Sequence, residues 1–297
     1  MPDDPSSDPA RDRMQALMTV CVLAVASLAI AMLGATPARV STSELMGHAR
    51  SPGEAAFVAS HRGDSASAPE NTLPAVESAI AGGFPYVEVD VALTEDRHPV
   101  LMHDRTVNRT TDGRGRIAEL TLAEVRALDA GSWFDPAFAG TRVPTLEEFL
   151  DVLAASESKA LIELKGVWNA DAAARFASAV VARGMERNVA VASFDTRTLA
   201  HISTASSVIY RLAIFRALPD DVVAAARTMG VRGIVAKDMA VIARPEIVDE
   251  LHAHGMRVVV YTLNDGAQWL EATALGVDGI VTDDPGSLNA WQADASR

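Results

Sequence analysis

The chain has 297 residues, of which 49% are hydrophobic and 22% are charged, so it is long enough to bury one large core. Its net charge is -13, which argues against binding along a nucleic acid, because that binding depends on clustered Lys and Arg side chains. Cys21 is the only cysteine in the sequence. An internal disulfide is therefore excluded, and the fold has to be stabilised by packing.

The first feature along the chain is an uncharged segment over residues 14–38, preceded by Arg11 and Arg13. It is longer than the roughly 20 residues that suffice to span a bilayer, and the two arginines predict that its N-terminal end stays in the cytoplasm. The rest of the chain would then lie outside. A retained signal anchor and a cleaved signal peptide both fit this pattern, so the protein is expected to be tethered to the cell membrane or secreted.

Residues 39–54 contain several small and turn-forming residues, among them Ser41, Gly47 and Pro52. This composition predicts a flexible linker. The predicted organisation is then a cytoplasmic N-terminus at 1–13, the anchor or signal segment at 14–38, the linker at 39–54 and one globular domain at 55–297.

From Phe57 onward, short β-branched runs alternate with longer helical segments, which is the pattern of a parallel sheet covered by helices. The predicted strands are Phe57–Ser60, Tyr86–Val91, Ala160–Leu164, Val189–Ser193, Val208–Leu212, Gly233–Ala236, Arg257–Tyr261 and Gly279–Thr282. The predicted helices are Asn71–Ala81, Ala170–Arg183, Thr196–Thr204, Asp220–Met229, Pro245–His254 and Ala267–Leu275. Eight strands in one array favour an α/β fold of the closed (β/α)8 barrel type over an open sheet.

One connection in this array is longer than the others. After the second strand, Pro99–His103 predicts an additional extended segment, and an irregular stretch with a short helix near Leu122–Leu128 continues to Pro144. Long excursions at one end of a barrel commonly contribute to the active site. We therefore expect this small insertion to be functional.

Carboxylates lie on two neighbouring predicted strands. Strand alternation puts Glu88 and Asp90 on one face, and this face points inward because helices cover the outer face. On the next strand, Glu163 and Lys165 share a face in the same way. Three converging carboxylates describe a site for a hard divalent cation, Ca2+ or Mg2+. A salt bridge at the barrel mouth is the alternative for the Glu-x-Asp pattern alone.

Two histidines fall where predicted strands end. His61 follows the first strand and precedes Arg62, and His103 ends the extended segment after the second strand. Barrel enzymes keep their catalytic groups at this end of the strands, and two histidines beside carboxylates and an arginine indicate proton transfer rather than a structural role. Between them, Asn71 or Thr72 is expected to cap a helix.

Taken together, these motifs closely resemble the glycerophosphodiester phosphodiesterase family. The matching blocks follow the family order across Phe57–Leu288 and are His61-Arg62-Gly63, Pro69-Glu70-Asn71-Thr72, Glu88-Val89-Asp90-Val91, His103-Asp104, Asn108–Gly113, Pro144–Glu148, Ile162–Lys165, Ser193–Asp195 and Gly279–Pro285. The resemblance implies a metal-dependent TIM barrel that cleaves phosphodiesters.

The resemblance also implies roles for individual residues. It implies acid–base catalysis by His61 and His103, binding of one divalent cation by Glu88, Asp90 and Glu163, and substrate binding by Arg62, Lys165 and Tyr261. Tyr261 stands where the family often has Trp, so it is either an aromatic wall over the substrate or a core residue. The sequence does not determine which of the two histidines is the acid and which is the base. The attacking group is either water or a glycerol hydroxyl of the substrate.

The expected reaction is hydrolysis of a small glycerophosphodiester to sn-glycerol 3-phosphate and an alcohol such as choline or ethanolamine. The alternative is a phospholipase D-like or lyase cleavage of intact lipid head groups, which related barrels perform. The insertion from Asp104 to Pro144 resembles that of the glycerophosphodiesterases and favours the first reaction. A barrel without catalytic activity is disfavoured, because the proposed core positions all carry the expected residue types.

Overall fold

The structure is a computed structural model that describes residues 40–295, together with the isolated positions 14 and 18. The predicted cytoplasmic N-terminus at 1–13 and signal segment at 14–38 fall outside the described residues, apart from those two positions, and stay predictions. Within the part of the chain that is described, no helix combines the length and the apolar character needed to cross a membrane.

Eight parallel strands close into a barrel, and one short antiparallel strand extends it. The strands are β1 (Phe57–Ser60), β2 (Tyr86–Leu93), β3 (Pro99–Leu101), β4 (Lys159–Leu164), β5 (Val189–Ser193), β6 (Tyr210–Phe215), β7 (Gly233–Lys237), β8 (Arg257–Tyr261) and β9 (Gly279–Thr282). Their order is β1-β9-β8-β7-β6-β5-β4-β2-β3, and pairing of β1 with β2 closes the ring. The predicted (β/α)8 topology and the extended segment after the second strand are confirmed.

Helices connect the strands and cover the outside of the barrel. They are α1 (Thr42–Met46), α2 (Leu73–Ala81), α3 (Leu122–Arg126), α4 (Leu146–Ala154), α5 (Ala170–Val181), α6 (Thr196–Ala205), α7 (Val222–Thr228), α8 (Asp238–Ile242), α9 (Glu246–Ala253), α10 (Gly266–Ala274) and α11 (Pro285–Ala295). Polar residues placed before several of them accept first-turn N–H groups, as Asp195 does for α6 and Asp221 for α7. Such caps satisfy donors that the helix itself leaves free.

The two faces of each strand belong to different apolar clusters. On β2, Val87, Val89 and Val91 are fully buried and pack with side chains of the surrounding helices. Tyr86 and, on β4, Leu161 point the other way and belong to a second cluster inside the barrel. The outward face is apolar because the helices remove it from water, so the polar residues of β2 can only lie on the inward face.

Most predicted elements differ from the observed ones by one or two residues at an end, and two of the differences have a clear local cause. The fifth predicted strand, Val208–Leu212, corresponds to β6 and begins only at Tyr210. The Ser206 hydroxyl accepts N–H bonds from Val208 and Ile209 and holds these two residues in a turn. The helix expected from Asn71 begins at Leu73. Asn71 has a positive φ of 54°, which is incompatible with a right-handed helix.

The prediction of a flexible linker at 39–54 is also wrong for the described residues 40–54. Val40, Leu45 and Met46 are almost completely buried and belong to the cluster inside the barrel. Lys159 Nζ donates to the Leu45 carbonyl at 2.7 Å, and Arg257 donates to the Gly47 carbonyl at 2.7 Å. This segment packs against the N-terminal end of the strands, because the barrel interior there would otherwise expose apolar side chains to water. The compact unit therefore begins at Val40 rather than at residue 55.

The insertion after β3 has a small core of its own. Val107, Ile117, Val125 and Val143 are buried in a cluster separate from the two main ones. The backbone of Leu101 donates to Pro144 O at 2.9 Å, which joins the end of the insertion to β3. An excursion with its own core can hold side chains over the barrel mouth in fixed positions.

Candidate active site

Three carboxylates converge at the C-terminal half of the barrel. Asp90 on β2 pairs in register with Glu163 on β4, and Glu88 lies one inward position before Asp90. One oxygen atom from each of the three residues lies within 4.8 Å of the others. Glu88 is 5% exposed and Asp90 is 1% exposed. This is an arrangement that can hold a divalent cation with oxygen ligands.

Two positive side chains neutralise part of this cluster. Lys165 Nζ lies 2.8 Å from Glu163 Oε1 and 3.3 Å from Asp90 Oδ1. Arg62 Nε lies 3.4 Å from Asp90 Oδ2, and the Arg62 backbone N–H donates to Glu88 Oε2 at 2.9 Å. The cluster therefore combines acidic ligands with cationic groups that could bind a phosphate beside them.

The three carboxylates differ in their protonation. Burial, together with the charge of Asp90, raises the pKa of Glu88 to about 8. Burial also raises the pKa of Glu163, again with Asp90 as the second cause. Burial disfavours the charged form of Asp90 as well, but Lys165 and Arg62 outweigh it and lower its pKa. Burial therefore favours the protonated forms of Glu88 and Glu163, whereas Lys165 and Arg62 favour the charged form of Asp90.

The loop after β1 is shaped to place Arg62 against the carboxylates. Arg62 has a positive φ of 57°, and Gly63 follows with a φ of 82°. A Cβ atom on Gly63 would lie 2.6 Å from the backbone of Ala75, so only glycine allows α2 to approach this closely. Strain of this kind is commonly found at functional sites.

Asn71 binds Asp90 instead of capping a helix. Its Nδ2 donates to Asp90 Oδ2 at 3.0 Å, and its Oδ1 accepts the Asp90 backbone N–H at 3.0 Å. Thr72 is the residue before α2, but its hydroxyl donates to the Pro69 carbonyl and makes no cap bond. Asn71 thus fixes the orientation of one carboxylate, a role that the sequence pattern did not predict.

His61 has an aspartate on its Nδ1 atom. The distance from His61 Nδ1 to Asp283 Oδ1 is 2.6 Å, and Asn264 Nδ2 donates to the other oxygen, Asp283 Oδ2, at 2.6 Å. Burial opposes protonation of His61, but Asp283 and Glu88 outweigh this effect and raise its pKa. Asp283 leaves Nε2 of His61 as the nitrogen that can transfer a proton. The role of Asp283 as the partner of His61 could have been suspected from the sequence only because Asp283 directly follows the last strand.

His103 has an aspartate in the same place but a different electrostatic environment. Its Nδ1 lies 2.7 Å from Asp104 Oδ1, and Arg109 Nε donates to Asp104 Oδ2 at 2.8 Å. Arg109 also binds Glu70 at 2.6 Å, which links the insertion to the loop after β1. Burial lowers the pKa of His103, although Asp90 opposes the change. The pKa values of the two histidines are therefore moved in opposite directions.

Seven of the eight predicted site residues share one cavity of about 270 Å³ at the mouth of the barrel. Its lining consists of His61, Arg62, Asp90, His103, Glu163, Lys165 and Tyr261, with Phe194, Arg216, Lys237 and Thr262. Glu88 lines a smaller adjoining cavity with His61, Glu163 and Tyr261. The structure thus brings all eight predicted residues together. The Tyr261 hydroxyl is buried and has no hydrogen-bond partner among the described residues. Two cationic side chains of the cavity, Arg216 and Lys237, were not predicted from the sequence.

A model of the glycerophosphoryl diester phosphodiesterase family matches residues 61–287. The chain belongs to this family. The matched range contains all eight predicted site residues, and it also contains Asn71, Arg109 and Asp283. The resemblance inferred from the sequence motifs is confirmed.

Relatives of the phosphodiesterase family cover most of the chain. A glycerophosphodiester phosphodiesterase of Caldanaerobacter subterraneus subsp. tengcongensis is 32% identical over 234 residues, which make up 78% of this chain and 96% of that protein. An Oleispira antarctica phosphodiesterase solved in complex with the product sn-glycerol-3-phosphate has 29% identity and a TM-score of 0.72, over 79% of this chain and 96% of its own. A glycerophosphodiester phosphodiesterase of Agrobacterium tumefaciens has 29% identity and a TM-score of 0.69, over 79% and 99%.

Proposed function

We propose that this enzyme hydrolyses glycerophosphodiesters to sn-glycerol 3-phosphate and an alcohol. The observation that carries the proposal is the pair of histidines with oppositely shifted pKa values in one cavity with Arg62 and Lys165. A phosphodiester needs its charge stabilised, a proton removed from the attacking oxygen and a proton delivered to the leaving oxygen. Such substrates arise when both acyl chains are removed from a phospholipid, so the reaction belongs to lipid and glycerol metabolism.

The residues present fit one divalent cation, Ca2+ or Mg2+. Glu88, Asp90 and Glu163 would hold it, because one oxygen atom from each of the three carboxylates lies within 4.8 Å of the others. When bound, the cation would neutralise charge on a phosphoryl oxygen. Asn71 fixes the orientation of the Asp90 carboxylate through two hydrogen bonds.

The remaining steps belong to the side chains of the cavity. Arg62 and Lys165 bind the non-bridging oxygens of the phosphate. His103, whose pKa is lowered, accepts the proton of the attacking hydroxyl, which comes from water or from the substrate's glycerol. Attack by water gives sn-glycerol 3-phosphate directly, whereas attack by the glycerol hydroxyl gives a cyclic glycerol phosphate that a water molecule then opens to the phosphomonoester. His61, whose pKa is raised, donates a proton to the leaving alcohol oxygen as the phosphorus–oxygen bond breaks. Tyr261 forms one wall of the space for the substrate.

The N-terminal segment determines where this chemistry occurs. Arg11 and Arg13 before the uncharged segment at 14–38 support a location of the barrel outside the cytoplasm, tethered to the membrane or released. In that location, the substrates would be glycerophosphodiesters outside the cytoplasm. A protease-protection assay on intact cells tests this part of the proposal separately.

The test of activity measures sn-glycerol 3-phosphate release by the full chain from several glycerophosphodiesters, with Mg2+, with Ca2+ and with a chelator. His61→Gln and His103→Gln are each expected to lower kcat by about 100-fold or more. His254→Gln is the matched control, because His254 is exposed at the end of α9. The proposal is wrong if no glycerophosphodiester is hydrolysed with either cation. It is also wrong if head groups leave intact phospholipid vesicles faster than they leave deacylated substrates.

A further inference from the structure

A second cavity opens from the catalytic one. We call it the outer groove; its volume is about 1000 Å³, and it lies between the insertion after β3 and the loops that follow β4, β5 and β6. It shares His103, Glu163, Lys165, Phe194 and Arg216 with the catalytic cavity. Because the two spaces have these side chains in common, a substituent on a phosphate bound in the catalytic cavity can extend into the outer groove.

The outer groove contains unneutralised positive charge. Arg105, Arg116 and Arg216 line it. Within residues 40–295, neither Arg105 nor Arg216 forms an ion pair, and Arg116 contacts only Glu119, at 3.5 Å on the exposed surface. The net charge of the chain is -13. A cationic groove on an acidic protein is therefore a local feature and not a consequence of overall composition.

The carboxylates of the outer groove do not offset these arginines. Asp104 accepts from Arg109 at 2.8 Å. Asp195 lies 3.0 Å from Arg197 and also caps α6. Glu163 contacts Lys165, as described above. The two other charged side chains of the lining, Glu95 and Arg97, have opposite sign and add no net charge.

The aromatic side chain of the groove is covered by a cation. The guanidinium of Arg216 lies 4.3 Å from the centre of the Phe194 ring. Quaternary ammonium groups are recognised through the open faces of aromatic rings. Here one face of Phe194 is occupied by Arg216, and a second cation placed beside it would be repelled. The covered face of Phe194 therefore offers no site for the positive charge of choline or ethanolamine.

We propose that the outer groove binds the alcohol side of the substrate and selects alcohols that carry a negative charge of their own, such as a second phosphate. This inference rests on the proposed function and specifies its substrate class. Two sources have this chemistry: a phosphorylated inositol head group and a short glycerol phosphate oligomer. Arg105 and Arg216 are the residues that determine the preference, since each offers a guanidinium without an acidic partner among the described residues.

The experiment compares kcat/KM of the full chain for substrates that differ by one phosphate. The first pair is glycerophosphoinositol and glycerophosphoinositol 4-phosphate. The second pair is glycerophosphoglycerol and the oligomer that is longer by one glycerol phosphate unit. Glycerophosphocholine is included as the substrate with a cationic alcohol. Free divalent cation is held constant throughout. We expect about tenfold preference for the phosphorylated member of at least one pair at low salt, and the preference shrinks as salt screens the groove. The pair with the larger preference shows whether the bound alcohol is a phosphorylated inositol or a glycerol phosphate oligomer.

Variants separate the groove from general effects of charge. In Arg105→Gln/Arg216→Gln, the ratio of the two kcat/KM values is expected to fall about threefold to tenfold. Arg216→Lys keeps the charge and is expected to keep most of the ratio. Arg227→Gln removes one charge from the exposed last turn of α7, away from the groove, and should leave the ratio unchanged.

The outcomes distinguish this inference from the proposed function. Hydrolysis of both members of each pair at equal kcat/KM, or a preference for glycerophosphocholine, overturns the role of the groove and leaves the phosphodiesterase activity standing. Failure to hydrolyse any substrate overturns the proposed function itself. A preference that survives the double variant shows that other residues select the alcohol and also contradicts the inference.

Discussion

The Nδ1 atom of His61 lies 2.6 Å from the Oδ1 atom of Asp283, a residue 222 positions away in the chain. His61 follows β1 and Asp283 follows β9, and these two strands pair with each other. The closure of the barrel therefore builds this contact from its first and last strands. The same contact favours the protonated form of His61, since Asp283 helps to raise its pKa, and a protonated imidazole is the form that can act as the acid.

Replacing Asp283 by Asn is expected to lower the pKa of His61, because the carboxylate that stabilises the imidazolium is lost. If protonated His61 is the acid, the basic limb of the kcat–pH profile should move to lower pH. We also expect kcat at the optimum to fall about tenfold to 100-fold. Asp284→Asn is the control: its side chain accepts from Ser287 N at 2.9 Å at the start of α11. A basic limb at the same pH in both variants would rule out this role for Asp283.

Binding of the divalent cation should release protons. Burial and Asp90 raise the pKa of Glu88 to about 8, so this carboxyl is mostly protonated at pH 7, and it must lose its proton to become a ligand. We expect release of close to one proton at pH 7, and an affinity that rises with pH up to about 8. Calorimetric titrations of the metal-free protein in buffers with different ionisation enthalpies measure the release. Identical heats in all buffers would contradict the assignment.

Glu88→Gln should stabilise the metal-free fold. The pKa of Glu88 is higher in the folded protein than its ordinary value of 4.5, so the folded state disfavours the charged form. The resulting loss of stability grows as pH rises from about 4.5 to about 8. The amide keeps an acceptor for the Arg62 N–H, and we expect a gain of roughly 1 kcal/mol at pH 8, or about 2–4 °C in Tm.

The same substitution should abolish the rise in Tm that Mg2+ or Ca2+ produces in the wild type. Glu147→Gln, on the exposed side of α4, is the matched control and should change neither quantity. Thermal denaturation with and without cation measures both effects. A lower Tm of metal-free Glu88→Gln at pH 8 would show that Glu88 is ionised and well stabilised in the folded protein.

Leu45→Ala tests the packing of residues 40–54 against the barrel. Leu45 is completely buried, and truncating such a side chain leaves a cavity that costs about 2–5 kcal/mol. Ser43→Ala, on the exposed side of α1, should change the free energy of unfolding by less than about 0.5 kcal/mol. Chemical denaturation measures both. A small effect of Leu45→Ala would restore the interpretation of this segment as a linker.

The sequence pattern correctly predicted those features that depend on residues close together in the chain. Alternation along β2 placed Glu88 and Asp90 on the inward face, because the outward positions of a barrel strand are covered by helices. The ends of the strands likewise indicated His61 and His103. Where the pattern is weak, as at Val208 and Ile209, a side-chain bond from Ser206 decided the strand boundary instead.

The barrel, the family and the eight residues of the candidate site could all be predicted from the sequence, since they depend on periodicity and on motifs that extend over a few positions. The partners of those residues could not be predicted, because they come from parts of the chain that only the folded barrel brings together. Asp283 reaches His61 because a closed sheet joins its ends, and Asn71 binds Asp90 because the loop after β1 turns back over β2. The burial of Leu45 was decided in the same way: a short apolar run is buried only if a distant surface covers it, and no local pattern specifies that surface.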